Sequence, residues 1–566
     1  MRVDRGLVIV ALLALFGATS LLQDATSVLN EVDKTLGASG LKSVRYSGTG
    51  FAYAFGQNNR PDIPYPKFYA KYSRSIDFEK GVSREETTRT QFENPPRGGG
   101  GQPLYTEAAG AAVAGENSNW GGGAVALTPQ GFVRAAMAGK PTMTTMRVGG
   151  RPLTAISFTA RNQYKVVGYI NAQHVVEKVE TWVANPTLGD MPIETIFADY
   201  RDFGGVKFPM RIVQKQGGYS VLELNVGDVQ PNAAVTLPAP AAAAPQAARV
   251  DAEKFAEGVW YLRGTPDPNS QLVEFKDFSV IVESSVTEGR ALANIAEAKR
   301  LLPNKPVRYH VNTHHHSDHS AGVRAFVAEG STIITHDMNK KFYDDVVLKS
   351  PHALAPDALS RNPKAARFIY VKDKGKYVIT DGDRTMEIYH VDNGHAANLL
   401  MSYLPKEKLL LITDIFNDFG MPRPNDPPAG IVSPYYAALG ERIKELKLDV
   451  QWLAPSHGTT VLPVARLNTL LQGTVQAPPV RPVVELGFRR RIHDVVGNTT
   501  CVRGSGRRAP CPGVARQRAG AGWSLGEPGA VSAADAGSRR SGRQRQAVHP
   551  RRVRGQRARR PCGMAE

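Results

Sequence analysis

The sequence predicts an α+β chain, with a mainly antiparallel β region first and then a domain in which short strands alternate with helices. Three observations carry this expectation. Period-2 segments bounded by turn residues fill the stretch from about 27 to 229. A spacer without a polar face follows, Pro238-Ala239-Pro240-Ala241-Ala242-Ala243-Ala244-Pro245. Beyond it, several side chains suited to holding metal each stand just after an apolar, strand-like run.

The segment 1–23 reads as an export signal. Arg2 and Arg5 form a basic start, Gly6 to Phe16 is apolar, and Ala18-Thr19-Ser20 offers small residues for cleavage. The apolar run is shorter than the ~20 residues of a membrane span, so the expectation is a periplasmic or secreted protein.

In the region 24–230, helical periodicity covers only 25–36. Strands are expected at Gln163–Ile170, Glu177–Val183 and Val206–Val213, separated by turns such as Asn185-Pro186 and Gly204-Gly205. On the segment Val179–Gly218 this region resembles periplasmic lipoprotein-carrier half-barrels. The resemblance implies a concave face that takes a lipid or other apolar group; otherwise the region covers or positions the domain that follows. The glycine runs Arg97–Gly101 and Trp120–Gly123 lack a Gly-Lys-Ser/Thr sequence, so they read as a long surface loop rather than a phosphate cradle. The spacer is placed at 231–248 and the second domain at 249–475.

The second domain carries the chemistry. Thr313-His314-His315-His316-Ser317-Asp318-His319 fits H-x-H-x-D-H, and Gly394-His395, Asp414 after Leu409–Ile412, and Ser456-His457 follow downstream. Five imidazoles and two carboxylates in this order suit two divalent ions, and the absence of cysteine here argues against a thiolate site. Strands are expected at 307–312, 389–391, 408–412 and 452–454, and a helix at 320–329. The ligands thus fall on loops at strand carboxyl ends, where open α/β sheets place their ligands. His314 and His316, at i and i+2 of an extended loop, point the same way.

This ordered set, spanning about 250 to 471, resembles the metallo-β-lactamase fold superfamily. The resemblance implies an αββα sandwich with the metals at one edge. It assigns His314, His316 and His395 to one metal, Asp318, His319 and His457 to the second, and Asp414 to the bridging position. A bridging carboxylate resembles the glyoxalase II and lactonase side of the family. Glu283 ends the strand Phe278–Glu283 where many members carry Asp, which gives it a supporting role behind the ligands.

The implied chemistry is hydrolysis of an ester, thioester, lactone or lactam by a hydroxide shared between two zinc ions, with Asp318 as proton acceptor. Asn398 either donates to a developing oxyanion or caps the following segment. His336 takes a structural, supporting or substrate-facing role, His315 fills the variable motif position, and His310 and His390 sit within apolar strands. The segment 342–368, with Tyr343, Leu348, Pro351, Leu354 and Leu359, is expected to be a lid over the metals facing an apolar small-molecule substrate. The alternative is an envelope lipid- or component-binding protein whose metal site turns over little. Di-iron redox chemistry would need a flavodoxin-like segment after Leu471, and none is present.

At 566 residues the chain has room for two or three domains. Its 42% hydrophobic content supports packed cores. The formal charge of +18 is misleading, because the tail from Arg489 holds 18 arginines, no lysine and 4 acids. All three cysteines, Cys501, Cys511 and Cys562, also lie there, so no disulfide framework is expected before it. The loss of lysine with a surge of Arg, Gly, Ala and Pro reads as GC-rich codons translated out of frame. The region 476–566 is therefore expected to be a disordered frameshift product, and a nucleic-acid partner is not expected.

Overall fold

The computed structural model describes residues 24–115, 124–161, 163–240, 248–265, 267–417 and 423–473. The export segment at 1–23, the run at 120–123, residues 241–247 of the spacer and the arginine-rich tail lie outside the described residues.

The first helix, Ala25–Leu36, begins where the Asp24 carboxylate accepts the Ser27 N–H and ends where Gly37 turns left-handed (φ 64°). Its stripe of Val28, Leu29, Val32 and Leu36 is buried. It packs, with the helix Pro129–Ala138, against a sheet of 11 antiparallel strands. That sheet meanders with one closure: Ser43–Tyr53 pairs with Lys67–Asp77 on one side and with the last strand, Tyr219–Pro231, on the other. The expected strands appear as Tyr164–Ile170, Val176–Asn185 and Lys207–Gln216. Leu36, Phe132 and Val133 join strand residues such as Ile156, Val179 and Phe208 in one core, so the chain's own helices fill much of that apolar face.

The second region is built from two mixed sheets, one of seven strands from Arg249–Ala256 to Arg367–Val371 and one of six from Lys376–Thr380 to Leu462–Pro463. Val280, Val282, Val311 and Ile334 of the first sheet meet Ile388, Leu400, Leu411 and Ala454 of the second in a shared core. The outer faces are covered by helices. Ala291 and Ile295 of Glu288–Leu301 and Phe326 of Val323–Glu329 cover one. Leu439 of Pro434–Glu445 and Leu467 of Ala465–Leu471 cover the other. This is the four-layer αββα arrangement.

Two parallel strand pairs position the site. Ser279–Val282 runs parallel to Val307–Val311 with Val282 opposite Val311, and Leu409–Ile412 runs parallel to Trp452–Pro455 with Ile412 opposite Pro455. Parallel neighbours end at the same edge of their sheet, and residues just after Val307–Val311, Leu409–Ile412 and Trp452–Pro455 converge across the two sheets. Among the described residues no helix is long and apolar enough to cross a membrane.

The expected lid is not one. Tyr343 and Leu359 are buried in the outer helical layer, and 351–354 docks on the N-terminal sheet. Asp190 N donates to Pro351 O (2.7 Å), and the Asp190 carboxylate accepts from Ala353 N (3.1 Å) and Leu354 N (3.0 Å). Apolar side chains that signalled a cover are spent on packing.

Candidate metal centre

The strand-end residues converge as two groups. His314, His316, His395 and Asp414 have donor atoms within 4.8 Å of one another, and so do Asp318, His319, Asp414 and His457. Asp414 belongs to both. Its Oδ2 lies 2.8 Å from His395 Nε2 and 3.7 Å from His314 Nε2, while Oδ1 lies 3.0 Å from His319 Nε2 and 3.2 Å from His457 Nε2. The residue is held at a positive φ of 36°, which lets a short acid turn sharply out of the apolar strand.

Hydrogen bonds behind the rings choose which nitrogen faces the centre. Thr313 Oγ1 donates to Glu283, so it accepts from His314 Nδ1 (3.0 Å), and His314 Nε2 keeps its lone pair. His319 Nδ1 gives its proton to Glu283, and His457 Nδ1 to Asp267. His316 donates Nε2–H to Asn58 O (2.8 Å), leaving Nδ1 inward. Glu283 therefore supports the ligands, as its sequence position suggested. Asp267 gave no sequence signal beyond a turn residue.

The donor set fits a cation. His314 Nε2 and His316 Nδ1 are buried and have no hydrogen-bond partner, an arrangement that is costly unless something else fills it. Burial, then neighbouring imidazoles, pushes the pKa of His314 and His316 well below the usual histidine range, so both rings are neutral. Burial alone would raise the Asp414 carboxyl, but the facing imidazoles of His319, His457 and His395 more than reverse this and hold it ionised. Burial would lower His319 and His457, but Asp414 and the neighbouring acids reverse this and hold both well above the usual histidine range, so a divalent ion binding there would displace their inward protons.

The other singled-out residues stand apart. Asn398 is fully buried behind the motif, its amide taken up by His315 (2.8 Å) and Asn339, and it does not line the site cavity. In this arrangement its side chain braces the variable histidine of the motif. Burial pushes His315 down to about 4. His336 faces Asp373 (3.1 Å) and His390, which also form a close group. His390 has both nitrogens committed, to Lys374 N (2.9 Å) and Ala397 O (2.9 Å), so this group is structural. His310 is buried and stacked on Phe326.

The N-terminal region supplies one wall, which sequence reasoning missed. Gln57 Nε2 donates to Asp318 Oδ1 (2.7 Å), Gly56 O accepts Ser317 N (3.0 Å), and Asn59 Nδ2 donates to Gly394 O (2.8 Å). The glycine run read as surface loop is instead packed inward: Gly98 and Gly99 are buried, with Gly98 N on Gly394 O (2.8 Å) and Tyr435 OH on Gly98 O (2.8 Å). A cavity of about 380 Å³ opens over the centre, with Asp318, His395, Asp414 and His457 at its floor. Gln57, Gln102, Arg423, Asn425, Tyr435 and Tyr436 contribute to its walls.

Buried histidines and carboxylates, sharing Asp414, thus form two adjoining clusters that could hold metal at the edge of an αββα sandwich. Residues 263–457 match the family model of the metallo-beta-lactamase superfamily, so this part of the chain is a metallo-β-lactamase superfamily domain, of the metal-dependent hydrolase class. A 76-residue segment is 33% identical to an alkyl/aryl-sulfatase of Saccharomyces cerevisiae and covers 13% of this chain and 12% of that relative's length. Among solved structures, the DIM-1 metallo-β-lactamase is 14% identical, with a TM-score of 0.31 over 40% of this chain and 96% of that one. A metallo-β-lactamase from Pontibacter korlensis is 18% identical, with a TM-score of 0.30 over 40% and 100%.

Proposed function

We propose that the chain is a two-metal hydrolase acting on an ester, thioester, lactone or lactam bond. The observation that carries this reading is Asp414, whose carboxylate belongs to both ligand groups. His314, His316, His395 and Asp414 would hold one ion, and Asp318, His319, His457 and Asp414 the other. Two divalent ions, when bound, lower the pKa of a shared water towards ~7 and polarise the substrate's carbonyl oxygen. Asp318 turns Oδ2 towards His319 Nε2 (3.4 Å) and His457 Nε2 (3.6 Å), where that oxygen can take up a proton. Glu283 and Asp267 keep the protons of His319 and His457 on the far side of each ring. The cavity is of small-molecule size, and Arg423, Asn425 and Gln102 on its wall favour a substrate with polar groups over a wholly apolar one. The basic and apolar start of the sequence supports export, and the imidazole and carboxylate donors suit zinc as the metal.

The test is elemental analysis of the full chain beside a hydrolysis panel of esters, lactones, thioesters, β-lactams and an alkyl sulfate. About two metals per chain are expected, with turnover lost on chelation and in Asp318→Ala while the fold is retained. Two bound metals with no turnover on any substrate would favour an envelope-component binding protein instead.

A further inference from the structure

We infer that Gln57, brought in by the N-terminal β region, is a positioning residue for Asp318, and that the run Gly98–Gly101 seats it. The inference rests on the hydrolase reading and deepens it.

The connection between Ser43–Tyr53 and Lys67–Asp77 lies along the histidine motif. Its carbonyls are taken in succession: Gly56 O by Ser317 N (3.0 Å), Asn58 O by His316 Nε2 (2.8 Å) and Asn59 O by Ala397 N (2.9 Å). These bonds anchor the backbone on both sides of Gln57. The Gln57 side chain is then oriented by the glycine run, since Oε1 accepts Gly100 N–H (3.0 Å) and Gln57 O accepts Gly99 N–H (2.8 Å). With Oε1 occupied by a donor, the amide NH₂ must face Asp318 Oδ1 at 2.7 Å.

Space explains the glycines. A Cβ on Gly99 would lie 2.1 Å from Gln57 Oε1, 2.9 Å from His395 Cε1 and 3.1 Å from His316 Cε1. Gly98, Gly100 and Gly101 hold φ of 92°, 72° and 86°, values that favour glycine. A side chain on Gly99 would thus run into two metal-facing imidazoles and the amide that holds Asp318.

The consequence concerns one carboxylate. Asp318 Oδ1 is tied to Gln57, so Oδ2 is the oxygen turned to His319 and His457. A neutral amide can fix this rotation without adding positive charge beside two cations; a lysine or arginine here would repel them. The N-terminal region therefore completes the centre rather than merely adjoining it.

The test uses the full chain loaded with cobalt(II), comparing wild type, Gln57→Leu and Gly99→Ala. The readouts are metal stoichiometry, visible absorption, melting temperature, and kcat and KM on whichever panel substrate is turned over. For Gln57→Leu, full metal loading and an unchanged melting temperature are expected, with a shifted cobalt band. Its kcat should be about tenfold to a hundredfold lower at similar KM, the cost common for partners behind metal ligands. Gly99→Ala should shift the same band. An unchanged band and kcat in Gln57→Leu, or losses that only track lost metal or fold, would overturn the inference. If wild type turns over nothing, the hydrolase reading fails on its own and the cobalt band still decides the role of Gln57.

Discussion

Thr313 Oγ1 reaches both carboxylate oxygens of Glu283 at 3.0 Å while accepting the ring proton of His314, also at 3.0 Å. The same acid receives the Nδ1 proton of His319. One fully buried carboxylate thus orients a ligand in each group.

Glu283→Gln keeps the volume but loses the acceptor charge shared by His314 and His319. Metal affinity should fall about tenfold to a hundredfold, measured by chelator competition. Unchanged affinity would mean that Glu283 serves packing alone.

Metal removal should destabilise the fold, because converging imidazoles and acids are left without a cation. An ion that binds only the folded state at 100 times its Kd adds about 2.7 kcal/mol. Calorimetry with zinc and with excess chelator should show a lower melting temperature without metal, restored on adding it back. Identical melting curves would contradict the site.

Arg324 and Asp357 form a buried two-bond ion pair, and Arg324 also donates to Val347 O (2.9 Å). Removing the cation leaves a buried charge alone, so Arg324→Met should cost about 3 kcal/mol or more in urea unfolding. Burial would raise the Asp357 carboxyl, but the bonds to Arg324 and Ser360 outweigh it and hold the pKa below the ordinary range. A depressed acid stabilises above its unfolded pKa, and this share is lost as pH falls through the folded value. The Arg324→Met penalty should therefore shrink in acid.

His310, stacked on Phe326 with ring centroids 3.8 Å apart, gives its Nδ1 proton to Ile281 O (3.1 Å). Burial pushes its pKa down to about 3. A neutral buried histidine contributes fully above the unfolded value of about 6.5, and that contribution is lost as pH falls from there towards the folded value. His310→Phe should lose about 1 kcal/mol at pH 8 with the hydrogen bond. Stability of that variant should also fall less than wild type between pH 6.5 and 4, and parallel profiles would refute the assignment.

Much of the fold was legible because its signals are local. The helix at 25–36 appears with those bounds, its cap and glycine stop adjacent in the chain. The expected helix at 320–329 appears as Ser317–Ser320 and Val323–Glu329, since the motif itself opens the first turn. The lid failed because apolar periodicity reports burial without saying against what. The glycine run failed for the converse reason: glycine marks backbone freedom or close approach, and only the neighbour shows which.

The sequence by itself singled out the candidate ligands. His314, His316, Asp318, His319, His395, Asp414 and His457 each come after a strand whose apolar run is readable; parallel pairing brings the loops of each such pair to one edge of its sheet, while His395 follows an antiparallel strand. Only the tertiary structure decided what holds those ligands in place. Gln57 meets Asp318 across 261 residues and Asp267 meets His457 across 190. Asn398 was placed behind the motif instead of facing the cavity. Such pairings depend on which turn of one sheet packs over the edge of another. That outcome is set by the summed burial of two cores, and no short-range pattern encodes it.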